Sequence, residues 1–376
     1  MRKKIILKVS LALVLLMSGM LYGMLVMRFQ LPPYSLLKSG YNTLQLKEYT
    51  EIPKEYTETD VAALISINQA KDVFDRRDAL IEFLWGASEL PISMPSTVID
   101  NYVDVRYEDI KSIRRVEKLV VKMEFGLESH VYHFVPNNPN NKAILYHQGH
   151  RGDFIHGKEQ IRILLENGFA VVAFSMPLLG SNNQPTVEIP RIGMLKMTSH
   201  SHMKFLIPEN GHPIKFFIEP IVSVLNHLNK SYDYSSVFMI GISGGGWTTT
   251  LAAAVDTRIS YSFPVAGSYP IYLRSNSRRD WGDYEQNAPE LYMTVNYLEL
   301  YILGSHGENR KQLQIINQYD SCCFAGLKWH TYKDIVKNRV HLLGKGEYDL
   351  LMDDSHQGHL ISDMAMRRIL DELGSE

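Results

Sequence analysis

The stretch Val237-Phe-Met-Ile-Gly-Ile-Ser-Gly-Gly-Gly-Trp-Thr-Thr-Thr250 decides the fold of this chain. An apolar run typical of a buried strand ends at Ile242, and a helix-forming run begins at Trp247. The pattern G-x-S-x-G lies between them, where a tight strand-to-helix turn is expected. Such a turn strains the backbone of Ser243, and the residues two before and two after it crowd each other, which calls for glycine. The stretch therefore predicts a serine hydroxyl that projects from a turn at the end of a strand.

Short apolar runs alternate with helical patterns on both sides of this turn. The predicted strands are Val116–Phe125, His130–Val135, Ala143–Tyr146, Ala170–Phe174, Val237–Ile242, Ser260–Val265, Leu313–Ile316 and Tyr348–Met352. The predicted helices are one or two within Asp60–Trp85, then Gln160–Asn167, Lys215–Leu228, Trp247–Val255 and Ser362–Leu373. The first two strands are predicted to form a hairpin, whereas helices separate most of the later ones. This alternation predicts an α/β fold with a mostly parallel sheet and helices on both faces.

The composition is that of an ordinary folded protein. The 376 residues are 45% hydrophobic and 21% charged, and 39 basic residues against 41 acidic ones leave a net charge of −2. This balance gives no electrostatic attraction to nucleic acid, so no nucleic-acid partner is expected. The two cysteines, Cys322 and Cys323, are adjacent, and neighbouring cysteines rarely meet disulfide geometry. We therefore expect no disulfide bond and interpret both as buried packing residues.

The N-terminal segment has the pattern of a membrane-spanning helix. Its basic residues are Arg2, Lys3, Lys4 and Lys8. The uncharged run Val9–Met27 that follows is about 28 Å long as a helix, close to the thickness of a bilayer core. Positive charge before the run predicts a cytoplasmic N-terminus, with the rest of the chain on the other side of the membrane. A cleaved signal peptide is the alternative interpretation, but the run is long for one and no clear cleavage site follows.

Three segments around the predicted turn carry a family resemblance: Gly241–Thr248 (GISGGGWT), Ala252–Ile259 (AAAVDTRI) and Pro264–Gly267 (PVAG). In these segments and in the order of its elements, the chain resembles the α/β-hydrolase superfamily over about residues 115–370, and its esterase and dienelactone-hydrolase-like branch above all. The turn is also similar to that of prolyl-oligopeptidase-type peptidases. The resemblance implies that Ser243 is a nucleophile activated by a histidine, which an acid orients. The alternative is a glycine-rich turn without a nucleophile, such as a phosphate-binding one, although the lysine of a P-loop is missing.

In this superfamily the acid and the histidine follow the serine in the chain. The histidine candidates are His356 and His359, between the last predicted strand and the last predicted helix. The resemblance favours His359, which directly precedes the helix, and leaves His356 as the alternative base. For the acid, it favours Asp320, at the end of the strand Leu313–Ile316. The other acid candidates are Asp334, Asp353 and Asp354.

Two backbone amides are predicted to stabilise an oxyanion. One is that of Gly244, directly after the serine. The other is that of His150, because the loop His147-Gln-Gly-His150 is similar to the oxyanion loops of esterases. A metal site that gathers the pairs His147/His150 and His356/His359 is a weaker interpretation, since it leaves the serine turn unexplained. We predict no metal and no cofactor, and we interpret His200 and His202 as surface or lid residues.

Together these patterns predict a membrane-anchored serine hydrolase that cleaves carboxylic esters through an acyl-enzyme. The alternatives are a prolyl-oligopeptidase-like peptidase and a catalytically inactive hydrolase-fold scaffold protein. The predicted regions are a cytoplasmic basic tail at 1–8, a transmembrane signal anchor at 9–27, a stalk and helical region at 28–112, and a catalytic domain at 113–376 with a lid-like insertion at 181–213. The expected partners are the membrane, through residues 9–27, and a small-molecule or cell-surface ester; the sequence does not indicate an oligomeric state.

Overall fold

The computed structural model describes residues 2–29, 31–33, 36, 49–274 and 278–374. The chain divides into two compact units, Met1–Glu51 and Ile52–Glu376. The second unit begins well before residue 113, where the sequence placed the start of the catalytic domain. It therefore contains most of the predicted stalk and helical region as well.

One long helix, α1 (Arg2–Phe29), dominates the first unit. Its segment Lys8–Val26 has a mean hydropathy of 2.2 and is 6% buried, so its apolar side chains are exposed along the helix. Nineteen residues of helix span about 28 Å, the thickness of a bilayer core. This is one helix that is long and apolar enough to cross a membrane, a criterion that a signal sequence meets as well. The basic tail lies largely within this helix.

A nine-stranded sheet forms the centre of the second unit. The strands of the unit are β1 (Thr97–Ile99), β2 (Ile113–Lys122), β3 (Glu128–Pro136), β4 (Lys142–His147), β5 (Ala170–Phe174), β6 (Thr186–Ile189), β7 (Gly193–Lys196), β8 (Ser236–Ile242), β9 (Ile259–Val265), β10 (Lys311–Asn317) and β11 (Glu347–Asp353). The sheet order is β1-β2-β3-β5-β4-β8-β9-β10-β11, while β6 and β7 form a separate hairpin. Three pairings at one edge of the sheet are antiparallel: β1–β2, β2–β3 and β3–β5. The remaining pairings are parallel: β5–β4, β4–β8, β8–β9, β9–β10 and β10–β11. The predicted mostly parallel sheet is confirmed.

Helices cover both faces of this sheet. In the second unit they are α2 (Ala70–Trp85), α3 (Lys158–Glu166), α4 (His200–Met203), α5 (Lys215–Ser231), α6 (Gly244–Val255), α7 (Arg278–Trp281), α8 (Tyr284–Asn287), α9 (Pro289–Thr294), α10 (Tyr297–Ser305), α11 (Lys333–Leu342) and α12 (Asp363–Gly374). Each face of the sheet has its own hydrophobic core, and successive residues of β4 belong to different cores. Ile144 shares a core with α3 and α12, and Leu145 shares the other core with α5, α6 and α10. This is the alternation that a strand buried on both faces requires.

Each predicted strand is present within a few residues of its predicted bounds, and the first two form the expected antiparallel hairpin. The region Asp60–Trp85 contains one α-helix, α2, preceded by the short 3-10 turn Ala62–Leu64. The sequence did not predict β1, the β6–β7 hairpin within the 181–213 insertion, or the helices α7 to α10.

Candidate active site

Ser243 lies on a strained turn between β8 and α6. Its φ of 59° and ψ of −124° are unfavourable for any residue with a side chain. A Cβ added to Gly241 would lie 2.1 Å from the carbonyl oxygen of Gly245, and one added to Gly245 would lie 2.1 Å from that of His147. The backbone passes itself this closely because both positions are glycine. The turn thus presents a half-buried serine at the N-terminus of a helix, as its sequence predicts.

Asp320 and His359 form a contact although 39 positions separate them. Asp320 follows β10 and His359 follows β11, so the parallel pairing of these strands brings both to one edge of the sheet. His359 Nδ1 lies 2.7 Å from Asp320 Oδ2. The backbone N–H of Cys322 donates to Asp320 Oδ1 over 2.7 Å, and Asn317 Nδ2 lies 3.3 Å from Oδ2. The Asp320 side chain is also buried, and these donors fix its orientation.

The second ring nitrogen of His359, Nε2, is not used by Asp320. Nε2 is buried and has no hydrogen-bond partner among the described residues. Ser243 and His359 line one cavity of about 80 Å³. The remaining lining residues are Tyr146, Gln148, Gly149, Arg151, His156, Gln160, Ile242, Leu360 and Ile361. A proton acceptor and a hydroxyl thus share one cavity without a hydrogen bond between them, a common arrangement in unliganded active sites.

The alternative residues have other surroundings. His356 Nε2 lies 3.4 Å from Asp353 Oδ2, and His356 does not line the cavity of Ser243. Asp353 also binds the hydroxyls of Ser355 and Ser362, the latter at the start of α12. Burial alone would raise the pKa of Asp353, but these hydrogen bonds lower it. Asp334 and Asp354 are exposed. Of the candidate acids, only Asp320 contacts a histidine of this cavity.

The predicted oxyanion loop packs directly against the serine turn. A Cβ on Gly149 would lie 2.6 Å from Cβ of Ser243 and 3.0 Å from the Gly244 nitrogen. Gly244 is the first residue of α6, and the first amides of a helix have no acceptor within it. Gln148 Oε1 accepts a hydrogen bond from the Tyr146 hydroxyl over 2.7 Å. The loop is therefore fixed beside the nucleophile candidate.

The four-histidine metal site is not formed. His147 is buried, its Nδ1 lies 2.8 Å from the Gln148 carbonyl oxygen, and burial lowers its pKa to about 4. His150 has different partners: its Nε2 lies 2.7 Å from Glu285 Oε1 and 3.1 Å from Asp283 Oδ2. The metal interpretation of the two His-x-x-His pairs therefore fails.

Two sequence interpretations are wrong. His200, interpreted as a surface or lid residue, is not on the surface: it is buried within the insertion, with Nδ1 3.1 Å from Glu285 Oε1. Glu285, which the sequence did not single out, is fully buried; burial would raise its pKa, but the imidazoles of His200 and His150 lower it. Cys322 and Cys323 are joined by a disulfide bond, which the sequence analysis did not expect. Cys322 is exposed, whereas Cys323 is half-buried and packs against the hydrophobic core.

No protein-family profile and no curated protein sequence matches this chain. Solved structures do. An acetyl xylan esterase from Paenibacillus sp. R4 is similar with a TM-score of 0.51 and 16% identity, over 88% of this chain and 98% of its own. Acetyl xylan esterase 1 from Thermoanaerobacterium sp. JW/SL YS485 is similar with a TM-score of 0.52 and 15% identity, over 85% and 99%. A glucuronoyl esterase from Solibacter usitatus is similar with a TM-score of 0.52 and 13% identity, over 83% and 93%. At such identities the likeness concerns the fold, and the structural neighbours are carboxylic-ester hydrolases.

Proposed function

We propose that this protein is an α/β-hydrolase-fold serine esterase, in which Ser243 is the nucleophile, His359 the base and Asp320 the residue that orients it. The observation that carries the proposal is the contact of His359 Nδ1 with Asp320 Oδ2 at 2.7 Å. His359 lines the same cavity as the strained Ser243, and its Nε2 has no hydrogen-bond partner among the described residues. The esterase neighbours agree with this proposal at the level of the fold.

The proposed reaction follows from this arrangement. His359 Nε2 accepts the proton of the Ser243 hydroxyl as Oγ attacks the ester carbonyl, and Asp320 stabilises the imidazolium that forms. The amides of Gly244 and His150 stabilise the oxyanion, helped by the positive end of the α6 dipole. His359 then protonates the leaving alcohol. A water molecule, deprotonated by the same nitrogen, releases the acid from the acyl-enzyme.

We infer that the acyl group is short. The cavity beside Ser243 holds about 80 Å³, room for a few solvent-sized groups rather than for a fatty chain. Polar side chains, among them Arg151, His156 and Gln160, form part of its wall. A small acyl group on a polar alcohol fits such a wall better than a lipid or a peptide does.

We also propose that α1 anchors the enzyme in a membrane. The apolar segment Lys8–Val26 is long enough to span a bilayer, and the basic residues before it favour a cytoplasmic N-terminus. The unit Ile52–Glu376 would then act outside the cytoplasm, on small or cell-surface esters.

Ester turnover tests the proposed function. The full-length chain, purified in detergent, is assayed with p-nitrophenyl acetate, p-nitrophenyl octanoate and a peptide p-nitroanilide. We expect the acetate to be the best substrate and Ser243→Ala to abolish its turnover. Ser321→Ala is the matched control, because Ser321 is exposed beside Asp320. Undiminished turnover by Ser243→Ala would refute the mechanism, and preferred cleavage of the peptide would favour the peptidase alternative.

A further inference from the structure

A second group of ionisable side chains lies next to the serine turn. It consists of His150, His200, Asp283 and Glu285, and one side-chain nitrogen or oxygen atom of each lies within 4.8 Å of those of the others. The residues come from three separate segments: the loop after β4, the insertion at 181–213, and the turn around α8. The ring of His150 also adjoins Gly244, since a Cβ at that position would lie 2.5 Å from His150 Cε1. The proposed triad uses none of these four side chains.

The hydrogen bonds of His200 define its tautomer. Its Nε2 lies 2.9 Å from the carbonyl oxygen of Pro177, which only accepts hydrogen bonds, so Nε2 carries a proton. The neutral ring then directs the lone pair of Nδ1 at Glu285 Oε1, 3.1 Å away. Two acceptors that face each other require a cation between them or a second proton. A ring that donates one N–H to a backbone carbonyl and directs its other nitrogen inward is typical of a metal ligand.

Glu285 lacks partners on one side. Its side chain is completely buried, and two imidazole nitrogens approach the same oxygen, Oε1. The other oxygen, Oε2, is buried without a hydrogen-bond partner among the described residues. A buried carboxylate that lacks partners is costly, and a cation bound beside it lowers that cost because it neutralises the buried negative charge.

We propose that His150, His200, Glu285 and Asp283 bind a divalent transition-metal ion of the zinc type. Two imidazoles and two carboxylates are ligands that zinc takes in a tetrahedral arrangement. Such an arrangement separates ligand atoms by about 3.3 Å for bonds of about 2.0 Å. The observed separations are 2.7 Å from His150 Nε2 to Glu285 Oε1, 3.1 Å from His200 Nδ1 to the same oxygen, and 3.1 Å from His150 Nε2 to Asp283 Oδ2. The closest pair must therefore move apart by about 0.6 Å, and the other two pairs by about 0.2 Å, to admit the ion.

The ion joins three segments that otherwise meet through side chains alone. It ties the oxyanion loop, through His150, to the insertion that carries His200 and to the turn that carries Glu285. The ion affects the reaction through position alone, because it holds the backbone of His150 in place beside Ser243. Metal binding does not depend on the proposed hydrolysis, so a Ser243→Ala protein still binds the ion.

Equilibrium dialysis tests the site. The full-length chain in detergent is treated with a chelator, dialysed against Zn²⁺ alone, and its metal content is measured. We expect about one Zn²⁺ per chain, and binding weaker by at least about 100-fold in His200→Ala, the upper end of what loss of an outer partner of a metal ligand costs. Ser243→Ala retains the ion, which separates failure of this site from failure of the esterase.

Two further variants keep the test decisive. His202→Ala is the matched control, since His202 is in the same short helix but outside the group, and it retains full binding. If His200→Ala does not fold, Asp283→Asn is the alternative variant. Asp283 is exposed, the substitution removes one charged ligand, and asparagine can still cap α8. Absence of stoichiometric Zn²⁺ in the wild-type chain would overturn the proposal, as would equal binding in His200→Ala or Asp283→Asn; the group would then be a set of ion pairs with protonated histidines.

Discussion

At the scale of single residues, the proposed chemistry depends on which atoms Asp320 presents to its neighbours. Oδ1 accepts the N–H of Cys322, and Oδ2 lies against His359 Nδ1. In the sequence, chain order and strand ends left several candidates open, and the family resemblance favoured His359 and Asp320 among them. The group around Glu285 could not be selected, because His150, His200 and Glu285 have no fixed spacing and meet only in the folded chain.

Asp320→Asn tests the orienting role. With its amide oxygen still facing the Cys322 N–H, asparagine presents its NH₂ group to His359 Nδ1. His359 Nδ1 must then accept this hydrogen bond, so the proton of the neutral ring is on Nε2. A protonated Nε2 cannot accept the proton of the Ser243 hydroxyl. We expect kcat for p-nitrophenyl acetate to fall by about 10⁴, with KM nearly unchanged.

Asp354→Asn serves as the control, because Asp354 is an exposed acid in the loop that carries the histidines. Its activity should stay within about two-fold of wild type. Full activity of Asp320→Asn, together with a large loss of activity in Asp353→Asn, would show that the orienting acid is Asp353, which contacts His356.

A second residue-scale prediction concerns Glu219 in α5. Burial raises its pKa to about 7, with a smaller opposing effect of Lys215. The folded chain thus holds this proton more tightly than the unfolded chain, so the contribution of Glu219 to stability is largest at low pH and is lost as the pH rises through about 7. Glu219→Gln should therefore raise stability by about 1–3 kcal/mol at pH 8, and the gain should shrink as the pH falls towards 4.5.

Thermal unfolding in detergent between pH 5 and 8 measures this difference. Glu89→Gln, at an exposed position, should give no such trend. A Glu219→Gln protein that is less stable than wild type at pH 8 would show that the charged carboxylate is favourably paired in the folded chain.

At the scale of elements, periodicity and apolar runs predicted the strands because the central ones are buried on both faces, while β2 and β11 alternate between buried and more exposed residues. The same reasoning missed α10, for a physical reason. All nine residues of α10 are buried, so the segment has no polar face and no helical period to recognise. β1 was missed because its three residues are exposed and carry no pattern.

Gly245→Ala tests the turn between β8 and α6. The added Cβ would lie 2.1 Å from the His147 carbonyl oxygen, which is a backbone atom at the end of β4 and has little room to shift. We expect loss of at least about 3 kcal/mol of stability and of ester turnover, because either the turn or the oxyanion loop must move. Gly374→Ala is the control, since no atom lies within 4 Å of its added Cβ. Unchanged turnover in Gly245→Ala would contradict the tight packing of the turn.

At the scale of the whole molecule, the order of the parallel strands positions the proposed triad. β8, β9, β10 and β11 are neighbours, so the segments that follow β8, β10 and β11 bring Ser243, Asp320 and His359 to one edge of the sheet. The sequence predicted a mostly parallel sheet but not the order of the strands within it, because that order depends on pairings between distant segments. The 28-residue helix α1 was evident from composition because its apolar run has no polar face.

Membrane extraction tests the proposed anchor. Wild-type chain should remain in the membrane fraction after high-pH carbonate treatment. Replacing Leu15 and Leu16 with arginine adds about 3 kcal/mol per residue to the cost of insertion and should release the chain. Leu342→Arg is the control, because Leu342 is an exposed residue of the second unit. Release of the wild-type chain by carbonate would contradict a spanning helix, and an N-terminus beginning after residue 27 would indicate a cleaved signal.

The most direct test of the central claim is covalent labelling of the full-length chain with a fluorophosphonate, followed by mass spectrometry of the labelled peptide. An activated serine reacts with this reagent, whereas an ordinary serine hydroxyl does not. We predict a single modification on Ser243, lost in Ser243→Ala and strongly slowed in His359→Gln. A folded wild-type chain that remains unlabelled, or one labelled at another serine, would contradict the account.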